Sequence, residues 1–402
     1  MLSLVVSLVS STLHYTIALT SSMVATIHSC GYDGFKQISG FRQASLDDWG
    51  TISEGNSVSK CDDTQAVSCP FAWLRLHENV KVRNAVFTWS HNAIFLTKDG
   101  ATVSVIVGHL NPESPTAATV NGEVVCATES HFLLKKNDGT EPALKFESMC
   151  VKELQRHPLS VKEDHDRAIQ SDLDVYASHN DLYYSRGSVE FGRLTTEDGG
   201  KGVNFPRVIC PHPLDMSLRI DRITCGKEHV LLLSHFGCVY SFGLGSRGQL
   251  GHGDVEMERT PRLIEALEGV KMVGIQAGGW HSLSVSESGD VYAWGWNESG
   301  QLGISSVGPG SNDRVSPGVL ITEPECVTLP SEDPIKAAAC GSRHTLLLSE
   351  CGQVFASGWN RYGQLGLGHT RDQRTFVKVP SITSSCRQIF AGHWCSIFIC
   401  ND

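Results

Sequence analysis

A pattern of glycines, a histidine and a hairpin turn recurs along this chain and restricts what it can fold into. Residues 277–303 read A-G-G-W-H-S-L-S-V-S-E-S-G-D-V-Y-A-W-G-W-N-E-S-G-Q-L-G, and matching copies begin at Cys225 and Cys340. In each copy two β-like runs flank a turn, and the histidine stands eight residues before the hairpin glycine. Self-similarity of this kind indicates a repeat architecture, in which each unit is one supersecondary element.

The same spacing continues into weaker copies on both sides of the three strong ones. Seven positions take the place of the histidine, and neighbouring ones lie 39 to 63 residues apart. These anchor positions are Asn92, His131, His179, His229, His281, His344 and Cys395. A repeat of about 50 residues that consists of short strands and turns is typical of propeller blades with four strands each. The sequence therefore predicts an all-β fold, a seven-bladed β-propeller.

The two ends of the chain look like the halves of one repeat. The last copy opens at Ala391 and stops before its second half. Residues 27–38 read I-H-S-C-G-Y-D-G-F-K-Q-I, a degraded form of the stretch that ends the strong copies. Each blade buries its faces against its neighbours, so the ring has to close. We therefore predict that an N-terminal strand completes the C-terminal blade, and that residues 40–67 form a long loop before the first full blade.

Three segments carry a resemblance to a known family. They read G-G-W-H-S, V-Y-A-W-G-W-N-E-S-G-Q-L-G and C-G-S-R-H-T, and they resemble the regulator-of-chromosome-condensation repeat family of seven-bladed propellers. Good matches cover residues 209–402 and weak ones residues 24–206. The resemblance implies a non-catalytic protein-interaction scaffold in the nucleus, associated with chromosomes, with the cytoplasm as a second location. It also implies a Jumonji-C histone demethylase or hydroxylase and histones as partners, in histone-methylation control and chromosome segregation.

Two alternative functions stay open. The family's founding member is a guanine-nucleotide exchange factor for a small nuclear GTPase, which implies the same activity as one alternative. That member has a basic tail for chromatin, whereas no basic tail is visible in this sequence. The other alternative is a substrate-recruiting subunit for ubiquitin transfer.

Charge and residue chemistry argue against several classes of function. The formal net charge is −10, whereas non-specific binding to nucleic acid needs clustered Lys and Arg, so we expect no direct DNA binding. No Ser-His-Asp or paired-carboxylate arrangement stands out, and no 2-His-1-carboxylate set for iron is recognisable. We therefore predict no enzyme activity, no cofactor and no metal, and we assign the iron chemistry that the resemblance implies to the partner.

The 14 cysteines raise the question of disulfides. Cys225 and Cys340 occupy a repeat position that Ala277 and Ala391 hold in other copies, which indicates a packing role for a small residue. No C-x-x-C pair occurs, so no structural zinc site is expected. We predict reduced thiols.

Residues 243–248 read G-L-G-S-R-G and match the dinucleotide-binding pattern G-x-G-x-x-G. In the next two copies Asn297 and Asn360 replace the middle glycine, Gly245, and Gly and Asn are the residues that best tolerate positive φ. The motif leads into Gln-Leu-Gly and not into the apolar helix that a dinucleotide site requires. We interpret it as a turn.

The repeat histidines have a structural interpretation as well. His229, His281 and His344 occur once per unit, and a residue that recurs in this way usually fixes the unit. We predict that they anchor the repeat by bonding backbone groups of the turn.

The tryptophans suggest where a partner binds. Trp294 shares a repeat position with Phe242 and is predicted to lie in the core. Trp280, Arg343 and Trp394 stand at the anchor turns, where aromatic and Arg side chains could form hot spots on one face of the ring, and they are the predicted protein-binding patch. Related plant photoreceptors use Trp at such turns for light sensing. The scarcity of Arg beside these tryptophans in the sequence argues against that function here.

The chain is predicted to form a single domain over residues 23–402. Residues 1–22 are apolar but interrupted by Ser and Thr and lack a leading basic residue, which argues against a signal peptide and a membrane span. We predict an extension outside the fold, with a cleaved signal peptide as the alternative. Residues 304–334 are predicted to be a loop insertion, either a binding loop or a tolerated insertion.

Overall fold

The fold is all-β, as the sequence predicts. The computed structural model describes residues 25–31, 49–52, 71–87, 91–108, 117–121, 123–127, 131–136, 145–150, 156–158, 160–161, 173–178, 181–186, 190–195, 208–213, 219–304 and 320–401. Apart from one short 3-10 helix at Glu265–Leu267, the regular elements in these ranges are strands.

The strands are numbered in chain order. They are β1 (Ala25–Gly31), β2 (Gly50–Ile52), β3 (Phe71–Leu76), β4 (Lys81–Phe87), β5 (His91–Lys98), β6 (Ala101–Gly108), β7 (Ala117–Val120), β8 (Glu123–Ala127), β9 (His131–Lys136), β10 (Lys145–Cys150), β11 (Arg156–Pro158), β12 (Ser160–Val161), β13 (Leu173–Ser178), β14 (Asp181–Arg186), β15 (Glu190–Thr195), β16 (Val208–Pro213), β17 (Ile220–Cys225), β18 (His229–Ser234), β19 (Val239–Gly243), β20 (Glu258–Leu263), β21 (Met272–Ala277), β22 (His281–Ser286), β23 (Val291–Trp296), β24 (Leu320–Cys326), β25 (Ile335–Cys340), β26 (His344–Ser349), β27 (Val354–Gly358), β28 (Gln373–Lys378), β29 (Cys386–Ala391) and β30 (Cys395–Asn401).

Within the described residues these strands form seven sheets, five with four strands and two with five. The four-stranded sheets are β4–β7, β8–β11, β17–β20, β21–β24 and β25–β28, and each follows chain order. A five-stranded sheet holds β12–β16, with β12 on the edge beside β16. The remaining sheet, in the order β2-β3-β1-β30-β29, joins the two ends of the chain. The first strands of successive sheets contact one another, as in a propeller.

The closing sheet confirms the predicted N-terminal strand. β1 pairs antiparallel with β30 from Ala25 opposite Asn401 to Gly31 opposite Cys395. Residues 32–38 of the predicted segment lie outside the described residues. The predicted long loop over residues 40–67 is wrong in part, because it contains β2, and β2 and β3 extend this same sheet. The first sheet built from one stretch of chain begins at β4.

The second strand of each strong repeat lies in the interior of the fold. β18, β22 and β26 are buried at every residue, because neighbouring sheets cover both of their faces. The fourth strands β20 and β28 are largely polar, and half of the residues in each are exposed along the rim. Between sheets, one core cluster joins Leu231, Leu283, Trp294 and Leu347. Trp294 is fully buried, as predicted.

The predicted insertion over residues 304–334 is wrong in its second half. Residues 305–319 lie outside the described residues, but β24 pairs with β23 as the fourth strand of its sheet. Strand β20 begins seven positions after Gly251 and β28 begins seven positions after Gly366, whereas β24 begins 17 positions after Gly303. The extra length of this copy therefore falls between Gly303 and Leu320.

The prediction of reduced thiols is wrong for one pair. Cys386 and Cys400 stand directly opposite each other in β29 and β30 and are joined by a disulfide. Strand pairing brings them together, and a spacing of 14 residues gives no sign of it in the sequence. Cys238, Cys326, Cys340 and Cys351 are free cysteines among the residues whose side chains the structure describes.

The predicted extension over residues 1–22 lies outside the described residues. In the ranges that the structure does describe, no helix has the length and apolar character needed to cross a membrane.

Candidate functional site

Each repeat histidine reaches out of its own sheet into the next one. The imidazole Nε2 of His229 lies 2.9 Å from Ser282 Oγ, and that of His281 lies 3.0 Å from Thr345 Oγ1. His344 Nε2 continues the series at 3.1 Å from Ser396 Oγ. The predicted structural role therefore has a physical basis, but the predicted partner is wrong. Each imidazole Nε2 lies instead against a hydroxyl group of the neighbouring sheet.

Each of these hydroxyl groups also donates a hydrogen bond back to the repeat that carries the histidine. Ser282 Oγ donates to the carbonyl of Gln249 at 2.8 Å, and Thr345 Oγ1 donates to that of Gln301 at 2.7 Å. Since each hydroxyl proton is used in this way, the hydroxyl oxygen accepts from the imidazole Nε2–H. Burial lowers the pKa of His229, His281 and His344 to about 3, so all three are neutral near physiological pH.

A glycine before each histidine makes room for the ring. A Cβ at Gly226, Gly278 or Gly341 would lie 2.1 to 2.2 Å from the Cε1 atom of the histidine three residues later. Such a contact is far inside van der Waals distance, so the repeat needs glycine here. Packing against the histidine ring thus explains the glycine in the C-G and A-G pairs that open the copies.

The turn interpretation of residues 243–248 is retained, but its stated reason is wrong. Gly245, Asn297 and Asn360 do not have positive φ. Asn297 instead stabilises its loop through its side chain. Its Oδ1 accepts a hydrogen bond from Leu302 N, and its Nδ2 donates one to Ile304 O. A Cβ at Gly245 would lie 1.9 Å from the carbonyl oxygen of Glu256, so backbone fills that space in this copy.

Consecutive anchor turns touch at one end of the ring. Lys227 N donates to Gly279 O at 3.3 Å, Gly279 N donates to Gly341 O at 3.2 Å, and Ser342 N donates to His393 O at 3.2 Å. The residues that precede the anchors therefore share one surface. We call this surface the anchor-turn face, defined by Lys227, Glu228, Leu244, Arg247, Trp280, Trp296, Glu298, Leu320, Arg343, Trp359, Tyr362 and Trp394.

Trp280 and Trp296 form the first aromatic pair on this face. Their rings meet edge to face at 5.6 Å, and the Trp280 indole N–H donates to Glu228 Oε2 at 3.1 Å. The guanidinium of Arg247 lies 4.2 Å from the centre of the Trp296 ring, and that of Arg343 lies 4.4 Å from it. Lys227 Nζ lies 4.5 Å from the centre of the Trp280 ring. The expectation that Arg is scarce beside these tryptophans is therefore wrong, because distant loops supply the cations.

A second aromatic cluster lies in the next two sheets around the ring. Trp359 contacts Tyr362 and Trp394 edge to face, with both ring centres 4.9 Å away. Trp359 N donates to the carbonyl of Arg343 at 2.8 Å, which places this cluster beside the first.

The structure brings the predicted patch together only in part. Trp280 and Arg343 both contact Trp296, whereas Trp394 belongs to the second cluster. Sequence reasoning missed Arg247, Trp296 and Trp359 as members of the site. A signal was present, since Trp296 and Trp359 share a repeat position with the exposed Leu244, directly after a glycine that all three copies keep.

The possible metal ligands in the part of the chain that the structure describes are not clustered. No group of three or more His, Cys, Asp or Glu side chains there is arranged to hold a metal ion. On the anchor-turn face, Lys227, Arg247 and Arg343 instead lie over aromatic rings, and Glu228 accepts from the Trp280 indole N–H.

Comparison with known proteins places the strong copies in one repeat class. The Regulator of chromosome condensation (RCC1) repeat matches residues 237–285, 288–348 and 351–399, and a second description of it matches residues 272–301 and 335–364. This part of the chain consists of RCC1 repeats.

Two curated relatives share this region. RCC1 domain-containing protein 1 of Homo sapiens is 38% identical over 207 residues, which cover 45% of this chain and 55% of that protein. The segments around Trp280 and Trp296 predict similarity to that protein, and the prediction is confirmed. The Ultraviolet-B receptor UVR8 of Arabidopsis thaliana is 36% identical over 222 residues, which cover 55% of this chain and 47% of the receptor. The chain thus spans about half the length of the curated relatives it matches.

Two solved structures share the fold over nearly the whole chain. Yeast RCC1 (Prp20), bound to Kap60, gives a TM-score of 0.69 with 13% identity and covers 100% of this chain and 94% of its own. A structure of Prp20p from Saccharomyces cerevisiae, described together with its binding to Gsp1p and histones, gives 0.63 with 15% identity and covers 95% and 92%. These similarities confirm the propeller class.

Proposed function

We propose that this chain is a non-catalytic protein-interaction scaffold and that the anchor-turn face is its contact surface. The seven sheets act as the blades of one closed seven-bladed ring, which holds the face rigid. The observation that carries the proposal is the stack of Trp280, Trp296, Arg247 and Arg343, because Trp and Arg dominate the energetics of protein interfaces.

The internal repeats support a binding role for this face. Positions that build the ring keep the same residue in the strong copies, such as the anchor histidines and the Gln that follows the turn glycine. The position just before the anchor changes instead, from Glu228 to Trp280, Arg343 and Trp394. Packing between identical units does not require such variation, whereas a surface that fits a particular partner does.

The partner in this proposal is a Jumonji-C histone demethylase or hydroxylase, with histones as further ligands. The nuclear, chromosome-associated role in histone methylation and chromosome segregation is what the resemblance to the regulator-of-chromosome-condensation repeats implies, and the repeat matches support that resemblance. Histone binding is supported by the shared fold of Prp20p, a protein described as binding histones. The iron chemistry belongs to the partner.

Affinity purification of the tagged full chain from nuclei, read by mass spectrometry, tests this proposal. The expected result is recovery of a Jumonji-C dioxygenase with the wild-type chain and its loss with the Trp280→Ala/Arg343→Ala variant. Arg259→Gln is the matched control, because Arg259 is an exposed arginine on the rim strand β20. Equal recovery by all three proteins would reject the face, and recovery of no dioxygenase would reject the partner.

The two alternatives from the sequence become outcomes of further assays. Accelerated nucleotide release from a small nuclear GTPase would assign exchange activity to the chain. Recovery of ubiquitin ligases together with their substrates would assign it a recruiting role in ubiquitin transfer.

Light sensing is a second candidate function, because the structure supplies the Arg side chains that the sequence did not reveal. Trp280 and Trp296 stack with Arg247 and Arg343, and one relative is an ultraviolet-B receptor. Irradiation in the tryptophan absorption band should then change the partners or the oligomeric state of the chain. An unchanged sedimentation profile and unchanged partners after irradiation would reject it.

A further inference from the structure

We propose that the anchor-turn face binds an acidic peptide segment of its partner, with several Asp or Glu side chains and at least one apolar side chain. This inference rests on the proposed function, since it specifies the chemistry of the same contact surface.

The two stacked arginines are arranged to receive carboxylates. Arg247 and Arg343 each place the guanidinium over the Trp296 ring, which is only 7% exposed and so provides a fixed support. Stacking occupies the flat side of a guanidinium and leaves its N–H edge for bonds in the plane. That edge matches the two oxygens of a carboxylate.

The cations of the face are incompletely paired within the described residues. Arg343 has Glu298 at 3.7 Å, longer than a charge-assisted hydrogen bond, and its Nε–H is buried with no acceptor. Glu228 accepts from the Trp280 indole. In the described ranges neither Lys227 nor Arg247 has a carboxylate at ion-pair distance. The face can therefore accept carboxylates from outside.

Apolar surface borders the stacked arginines. Leu244 occupies the repeat position of Trp296 one sheet earlier, and Leu320 is the strand partner of Trp296. Each of these leucine residues is 41% exposed. Large apolar side chains beside the stacked arginines favour a ligand that has an apolar side chain between its Asp or Glu side chains.

Charge favours a peptide over a nucleic acid. The protein as a whole carries −10, and Glu228 and Glu298 lie among the three cations of the site. Phosphate backbones bind through many clustered cations. A short acidic segment needs only the three cations that are present. The carboxylates of Glu228 and Glu298 repel misplaced acidic side chains and so help to select the register of the peptide.

Fluorescence anisotropy with the full chain tests the inference. The probe is a labelled peptide E-D-L-E-D-F-E-D, and the comparison probes are its Q-N-L-Q-N-F-Q-N counterpart and a DNA oligonucleotide of equal charge. We expect the acidic peptide to bind at least about tenfold more tightly than either comparison probe, with an affinity that falls as salt rises. The Arg247→Gln/Arg343→Gln variant should bind the acidic peptide at least about tenfold more weakly than the wild type. The Arg343→Lys variant should keep only part of the wild-type affinity, because an ammonium group lacks the planar edge of a guanidinium. Arg259→Gln should bind like the wild type.

Three results would overturn the inference. They are equal binding of the neutral peptide, unchanged binding by the double variant with a wild-type melting curve, and tighter binding of the oligonucleotide. Dimerisation that the double variant abolishes, without peptide binding, would assign the face to a second copy of the chain. If no acidic peptide binds but partner recovery still depends on Trp280 and Arg343, the scaffold function stands and only this inference fails.

Discussion

The imidazole of His281 and the hydroxyl of Thr345 lie 3.0 Å apart, although 64 residues separate them along the chain. Both groups are fully buried, and the hydroxyl passes the contact on to the carbonyl of Gln301. Because Gln301 belongs to the same repeat as His281, the three groups connect one repeat to the next and back again. This arrangement holds neighbouring sheets in a fixed rotation around the ring.

Removing this imidazole should destabilise the protein without removing its binding function. His281→Ala leaves the Thr345 hydroxyl without its donor and opens a cavity, at an expected cost of about 1–3 kcal/mol in the free energy of unfolding. Urea unfolding followed by tryptophan fluorescence measures this cost. His235→Ala, at an exposed hairpin turn, is the control and should change it little. A stable His281→Ala variant that has lost all partner binding would refute the structural role.

The same histidines make stability depend on pH. Burial lowers the pKa of His229, His281 and His344 from 6.5 to about 3, so the unfolded chain binds protons more readily than the folded one. Above about pH 6.5 these histidines therefore do not reduce the free energy of unfolding. As the pH falls from about 6.5 towards about 3, they reduce it progressively. Within this window each histidine removes about 1.4 kcal/mol per pH unit.

Urea midpoints at about pH 7 and about pH 5 test this dependence. The midpoint should fall on acidification, and the fall should be smaller in His281→Gln, which lacks one of the titrating groups. Equal midpoints at both pH values would contradict the burial of the neutral imidazoles.

Glycine before the anchor should tolerate no side chain. Gly278→Ala would place a Cβ 2.2 Å from His281 Cε1 and 2.7 Å from the carbonyl of Gly341, so several kcal/mol of overpacking are expected. Gly274→Ala is the matched control in β21, since its nearest neighbour would be Val285 Cβ at 3.5 Å. Melting curves of both variants measure the difference. A normal Gly278→Ala melting temperature would refute the close packing of these turns.

Closure of the ring should depend on β1. Deleting residues 24–40 removes the strand between β30 and β3 and exposes two strand edges, so unfolding or aggregation is expected. Deleting residues 1–22 should leave the melting temperature nearly unchanged. Ile27→Ala, at a fully buried position in β1, should cost about 2–5 kcal/mol. A monomer with normal melting after the longer deletion would show that β1 is dispensable.

The sequence predicted features that depend on local spacing and left out those that depend on packing. The spacing of eight from His281 to Gly289 sets the length of a strand and its turn, and β22 begins at His281 as the repeat indicates. The pairing of β1 with β30 followed from an incomplete last repeat. Arg247 and Arg343, however, meet Trp296 only because three sheets are wrapped around one axis. The disulfide depends on the register of β29 against β30, and β2 and β3 join the closing sheet through pairing between distant segments.

The central claim is that the anchor-turn face binds the protein partner. Its most direct test is calorimetric titration of the purified partner into the wild-type chain, the Trp280→Ala/Arg343→Ala variant and the Arg259→Gln control, with a melting curve for each. We predict that the double variant stays folded and loses at least about 2 kcal/mol of binding free energy, while the control binds normally. A folded double variant with wild-type affinity would contradict the claim and would place the contact surface elsewhere on the ring.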